Sequence, residues 1–138
     1  MKAWLVNTNS NPKNKGSHCF EYMIRHNKVA AYYGNNEQID AIKKNDLILL
    51  YHNQNRIIAI GCVVEEFKQP DYQLGKIEHW ADVNWLWKAS FDKNLKPTNS
   101  INRKNVGITK YRNTVEDITK QLNYKLLFEE IAKRQIYM

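Results

Sequence analysis

Lys44-Asn45-Asp46-Leu47-Ile48-Leu49-Leu50-Tyr51-His52-Asn53-Gln54-Asn55-Arg56-Ile57-Ile58-Ala59-Ile60-Gly61-Cys62-Val63-Val64 sets two apolar runs of strand length around a polar break. Leu47–Tyr51 reads as one strand, His52–Asn55 as a loop, and Arg56–Phe67 as the returning strand of a β-hairpin. Both runs are apolar on successive residues, so each strand has two covered faces and lies inside a sheet rather than at its edge. Gly61 interrupts the second run, which suggests a bulge or the sharp bend that a closed barrel needs.

Outward from that hairpin the periodicity changes repeatedly. Ala3–Val6 reads as a first strand, closed by the turn-rich Asn7–Gly16 stretch. Cys19, Phe20, Met23 and Ile24 recur at helical spacing over His18–His26, and a short strand, Val29–Tyr33, follows. Asn36–Lys44 reads as a helical turn with Ile39 and Ile42 inward. On the far side, Lys68 to about Ala81 reads as a loop. Asp82–Phe91 then alternates strictly, with Val83, Trp85, Trp87, Ala89 and Phe91 on one face. Lys93–Asn105 reads as a basic polar loop and Ile108–Tyr111 as a last short strand. Thr114 is placed to cap a terminal helix over 115–134, striped by Ile118, Leu122, Leu126 and Ile131. This order lacks regular βα alternation. It predicts an α+β fold over residues 1–138 as a single domain: a small, mostly antiparallel β-barrel with flanking helices.

Composition narrows the function. The 138 residues carry 21 Lys+Arg against 14 Asp+Glu, a net charge of +7, which favours anionic partners, nucleic acid first among them. No apolar run approaches the roughly 20 residues of a membrane span. Cys19 and Cys62 are isolated thiols without metal or redox spacing, as expected of a soluble cytoplasmic protein. Phosphate-cradling glycine loops, HExxH and GxSxG are missing, and His18, His26, His52 and His79 share no helical face. No cofactor and no metal site are expected, and no catalytic residue is assigned.

The aromatic residues are the informative group: four Trp, eight Tyr and four Phe. Trp4, Trp85 and Phe91 on strands read as core. Trp80 falls in a polar loop, Tyr32 and Tyr33 are consecutive at a strand end, and Tyr51 stands beside His52 and Asn53. Such positions either plug the core or offer ring faces to a flat ligand, for which a nucleobase is the natural choice in a basic protein.

The segments Ala3-Trp4-Leu5-Val6-Asn7, Val29-Ala30-Ala31-Tyr32, the 44–64 hairpin, Val83-Asn84-Trp85-Leu86 and Gly107-Ile108 together resemble the EVE domains of the PUA-like superfamily. They are more distantly similar to YTH domains. The resemblance spans about Lys2 to Tyr124, and its most specific part is the hairpin. It implies a non-catalytic DNA- or RNA-binding module that holds one flipped, methylated base in an aromatic pocket, and an association with modification-dependent restriction systems. By the same resemblance, Asn7, Thr8 and Asn9 read the base edge. Tyr32 or Tyr33 (where the family usually has Trp) and Trp80 form the walls, and Tyr51, His52 and Asn53 lie close by. Lys93, Lys96, Arg103 and Lys104 are the candidate phosphate contacts. Related ASCH domains supply a competing expectation, a metal-independent ribonuclease with His52 as base and Lys88 as cation. A protein-interaction module with an empty pocket is the third.

Overall fold

The structure, a computed structural model, describes residues 1–8, 20–31, 39–52, 56–66, 79–110 and 115–136. Its elements are β1 (Ala3–Thr8), α1 (Phe20–His26), β2 (Lys28–Ala31), β3 (Leu47–His52), β4 (Ile57–Glu65), β5 (His79–Lys88), a 3₁₀ turn (Arg103–Val106), β6 (Val115–Asp117) and α2 (Tyr124–Ile136). The six strands form one mixed sheet in the order β2-β5-β4-β3-β1-β6.

The hairpin occupies the middle of the sheet, as its sequence demands. Every residue of β3 is buried, and β4 is buried from Ile57 through Gly61. β1 lies parallel to β3, from Ala3 opposite Leu47 to Thr8 opposite His52. A buried carboxylate fixes where that parallel pair starts. Asp46, 4% exposed, accepts hydrogen bonds from the Lys2 amide (3.0 Å), the Lys43 amide (2.9 Å) and the Trp4 indole N–H (2.9 Å). A charge taken out of water needs such donors, and Asp46 has three.

Gly61 sits at a bulge: the β4–β5 register shifts between Ile60 and Gly61. A Cβ there would collide with Val83 Cγ1 and come within 2.8 Å of the Trp85 ring and 2.9 Å of the Asn84 carbonyl oxygen, so only glycine fits. In β5 the expected alternation holds, with Ala81, Val83, Trp87 and Ala89 buried and Asp82, Asn84, Leu86 and Lys88 exposed. α1 covers the sheet through Phe20 and Met23, one helical turn apart. The Met23 carbonyl accepts the Trp85 indole N–H at 3.3 Å. Asn27 ends the helix in the left-handed region (φ 55°), and its carbonyl accepts the Val83 amide.

Several expectations need correction. The fold is α+β and mostly antiparallel, but the sheet is a curled half-barrel with β2 and β6 at its two edges, not a closed barrel. β5 starts at His79, so Trp80 is on a strand and not in a loop; β2 pairs with it, Ala30 opposite Trp80. Residues 108–110 form no strand. The terminal helix does not begin at 115. Val115–Asp117 instead pairs with β1, Val6 opposite Val115 and Trp4 opposite Asp117. The hydrogen bonds that β1 leaves open on its outer side outweigh the helical spacing of this segment. The helix starts at Tyr124, where the Asn123 side chain accepts the Leu126 amide at 3.1 Å, so Asn123 is the cap. Ile118 and Leu122 are buried in the turn before it, Leu127 anchors the helix, and Leu126 is 38% exposed. Cys62 is free and half-buried; Cys19 lies outside the described residues.

Candidate functional site

Because β1 and β3 are parallel, they finish together, and Asn7 and Thr8 stand level with Tyr51 and His52. β4 enters at the same end, with Ile57 opposite Tyr51, and β5 leaves there, with Lys88 opposite Ala59. Pleating sends adjacent residues of a strand to opposite faces, so Thr8 shares a face with His52, and Asn7 shares the other with Tyr51.

Thr8 is buried, and its hydroxyl donates to the Tyr51 carbonyl at 3.0 Å, stitching the two strand ends together. His52 is 5% exposed. Its ring meets the edge of Phe20 at 5.0 Å and 67°, and Phe20 in turn stacks on Phe91 at 5.2 Å and 20°. Burial among these rings disfavours the imidazolium and pushes the His52 pKa below its ordinary value. Asn7 differs. Its Oδ1 is buried and has no hydrogen-bond partner, a status it shares among the described residues only with the Trp87 indole N–H. Buried amide oxygens are almost always paired, so this one stands out as an acceptor the described fold leaves open.

The chain that continues from Phe91 carries Lys93 and Lys96 to the same end. Phe91 bridges to Pro97 and Ile57 to Ile101, so the segment between doubles back at the start of β4 with Lys93 and Lys96 exposed. Arg103 and Lys104 open the 3₁₀ turn. Lys104 is exposed, whereas Arg103 donates to the Ile108 carbonyl at 2.9 Å and helps hold that turn. Arg134 of α2 ties the segment down by donating to the carbonyls of Asn99 (2.6 Å) and Ser100 (2.8 Å). It also pairs with Glu130 at 2.7 Å, which holds that carboxyl below its usual pKa.

Trp80 stands elsewhere. It lies at the start of β5, eight residues before Lys88, or about 26 Å of extended strand. The residue is 39% exposed, with the Lys28 ammonium 5.1 Å from the ring centroid, a cation–π arrangement. Asn9, Tyr32, Tyr33 and Asn53 lie outside the described residues. The structure thus brings Asn7, Thr8, Tyr51, His52 and the turn with Lys93 and Lys96 to one end of the sheet, ties the 3₁₀ turn of Arg103 and Lys104 to the segment 118–123 that bonds Ala3, and leaves Trp80 at the other end of β5. Sequence reasoning missed Phe20 and Phe91 as the rings against His52, because helical and strand spacing mark both simply as core. It also missed Lys28, whose pairing with Trp80 follows only from the β2–β5 register. Among the described residues no His/Cys/Asp/Glu cluster could hold a metal, and no helix is long and apolar enough to cross a membrane.

Residues 4–109 match the model of a family described as "Domain of unknown function (DUF8426)". No curated protein matches the sequence. Among solved structures, the chain is similar to the Mmi1 YTH domain (TM-score 0.59, 10% identity, 98% of this chain and 99% of that one). It is also similar to the Mmi1 YTH domain in complex with RNA (TM-score 0.57, 10% identity, 96% and 82%). A third similar structure is the protein Atu2648 from Agrobacterium tumefaciens (TM-score 0.54, 13% identity, 94% and 93%). At these identities the likeness is one of fold.

Proposed function

The chain belongs to the DUF8426 family, and on that premise we propose that it is a non-catalytic nucleic-acid-binding module that takes up a single flipped base. The observation that carries this reading is the unpartnered Asn7 oxygen at the end of the sheet where the exposed Lys93 and Lys96 also stand. A fold shared with a domain solved in complex with RNA supports it.

In this reading Lys93, Lys96, Arg103 and Lys104 hold phosphates without regard to sequence. Asn7, on the face it shares with Tyr51, accepts an N–H from the base edge, while Thr8 and His52 hold the strand ends on the other face; Asn9 and Asn53 are proposed as further edge-readers. Trp80, at the far end of β5 and beside Lys28, cannot wall the same pocket, and is proposed to stack on a different base of the bound strand, with Tyr32 or Tyr33 as its proposed partner. Withdrawing a base from its stack costs a few kcal/mol, and each aromatic face returns roughly 1–3 kcal/mol. A buried methyl group adds only about 0.8 kcal/mol, so preference for a methylated base is modest unless the niche excludes water. Kinship with EVE domains, a methylated ligand and a place in a modification-dependent restriction system belong to this proposal as its finer parts.

The burial of His52 weighs against the ribonuclease alternative. A general base must reach its proton, yet this imidazole is enclosed by Phe20 while Lys88 faces solvent. The test is a titration of plain and methylated RNA and DNA oligonucleotides at one stated salt concentration, repeated with Asn7→Leu. Binding by the unaltered protein, with weaker binding or a lost methyl preference in the variant, supports the reading. No binding to any oligonucleotide at low salt rejects it. RNA cleavage that vanishes in His52→Ala would replace it with the nuclease.

A further inference from the structure

The turn after β5 contains a residue of the wrong kind for its backbone. Asp92 and Lys96 face each other, with the Asp92 amide donating to the Lys96 carbonyl at 2.9 Å, and Lys93, Asn94 and Leu95 form the loop between them. Leu95 donates to the Asp92 carbonyl at 3.0 Å and sits at φ 60°, in the left-handed region. In three-residue hairpin loops this position ordinarily belongs to glycine. A branched leucine there is strained, and asparagine, the next-best occupant, is wasted one position earlier at Asn94. Nor does burial compensate, because Leu95 remains 46% exposed. The rest of the turn is well made. The Asp92 carboxylate accepts the amides of Asn94 (2.8 Å) and Lys96 (3.0 Å). Its stem is closed by Thr98 to the Ser90 carbonyl and by Ser90 to Asn99. A rigid turn therefore holds an apolar side chain out in solvent between two exposed lysines. Strain maintained by its surroundings is a mark of function.

Resting on the nucleic-acid reading above, we infer that Leu95 is a wedge that enters the base stack of bound single-stranded nucleic acid while Lys93 and Lys96 engage the phosphates on either side. Apolar side chains set among cations are the usual means of parting stacked bases. The position suits the task. Phe91, at the foot of the turn, stacks on Phe20, whose edge meets His52, so the wedge stands at the end of the sheet where β1 and β3 finish, the end that also carries Asn7. A base pulled from its stack leaves a gap, and a side chain that fills it slows the return.

The experiment uses a short single-stranded RNA with 2-aminopurine flanked by adenines, whose fluorescence rises when the stack opens. The unaltered protein is compared with Leu95→Gly and Leu95→Asn. Both substitutions suit a left-handed residue, so both variants fold, and Leu95→Gly should melt a few degrees higher than the parent. Expected are a fluorescence rise with the parent protein, its loss in both variants, and affinity about tenfold weaker, as for an apolar side chain left in water. Variants that bind as tightly and give the same rise overturn the wedge while leaving the binding function intact. Failure of the parent protein to bind this RNA or its DNA counterpart at low salt rejects the binding function, and the wedge with it.

Discussion

The parallel pair β1–β3 has two ends built on opposite principles. Where it begins, Asp46 is buried with both carboxylate oxygens accepting hydrogen bonds, and the strands are pinned in register. Where it finishes, Asn7 is left with a buried oxygen that nothing in the fold satisfies. The chain thus satisfies a full charge completely and leaves a neutral amide open. Completeness marks the end that pins the strands, and the deficit is what the proposed binding function would put to use.

Substitutions can separate the two ends. Asp46→Ala should have the largest effect, since it strands the Trp4 indole and two backbone amides, at a cost of roughly 3 kcal/mol in stability. Chemical denaturation measures this, and a loss below 1 kcal/mol would mean that the carboxylate does not set the register. Gly61→Ala should cost about 2 kcal/mol by forcing a methyl onto Val83, Trp85 and the Asn84 backbone. At the open end, replacing Lys93 and Lys96 together by Gln should leave the melting temperature within a degree or two. It should lower the salt slope of single-strand binding by about 1.4. An unchanged slope would remove both lysines from the phosphate contacts. Asn7→Leu should raise stability by about 1 kcal/mol, because an apolar side chain replaces an unpaired buried oxygen, while weakening binding; destabilisation would show that Asn7 belongs to the holding end after all.

The smallest effect is the pH dependence of His52. Its folded pKa lies below the unfolded value near 6.5, so the unfolded chain takes up the proton first. The contribution is constant above that pH, and stability declines as pH falls below it until the folded form also protonates. His52→Leu should flatten this part of the curve, and a slope of the opposite sign would place a charged partner on the imidazole.

How much of this was readable in the chain differed by element. The β3–β4 hairpin was plain because two apolar runs flanking a polar break leave few alternatives, and the β5 alternation was equally direct. Gly61 announced its bulge. The C-terminal segment misled because Ile118, Leu122 and Leu126 have helical spacing, and only the vacant side of β1 turns Val115–Asp117 into a strand. Trp80 misled for a related reason, since its strand neighbour is β2, fifty residues earlier. In the candidate site, residue types were legible and their grouping was not. That Thr8 is tied to Tyr51 while Asn7 is left open depends on the pleat of a parallel pair that no local pattern encodes.

The pairing of β1 with β6 also bears on how the molecule is made. During synthesis β1 finds one neighbour in β3 and the other only when Val115–Asp117 emerges, more than a hundred residues later. Until then its outer edge is bare, a template for any extended peptide nearby. Completion is therefore a late event tied to the arrival of distant sequence, and such long-range closure makes for slow assembly. A nascent chain halted before residue 115 should be the form most prone to clump.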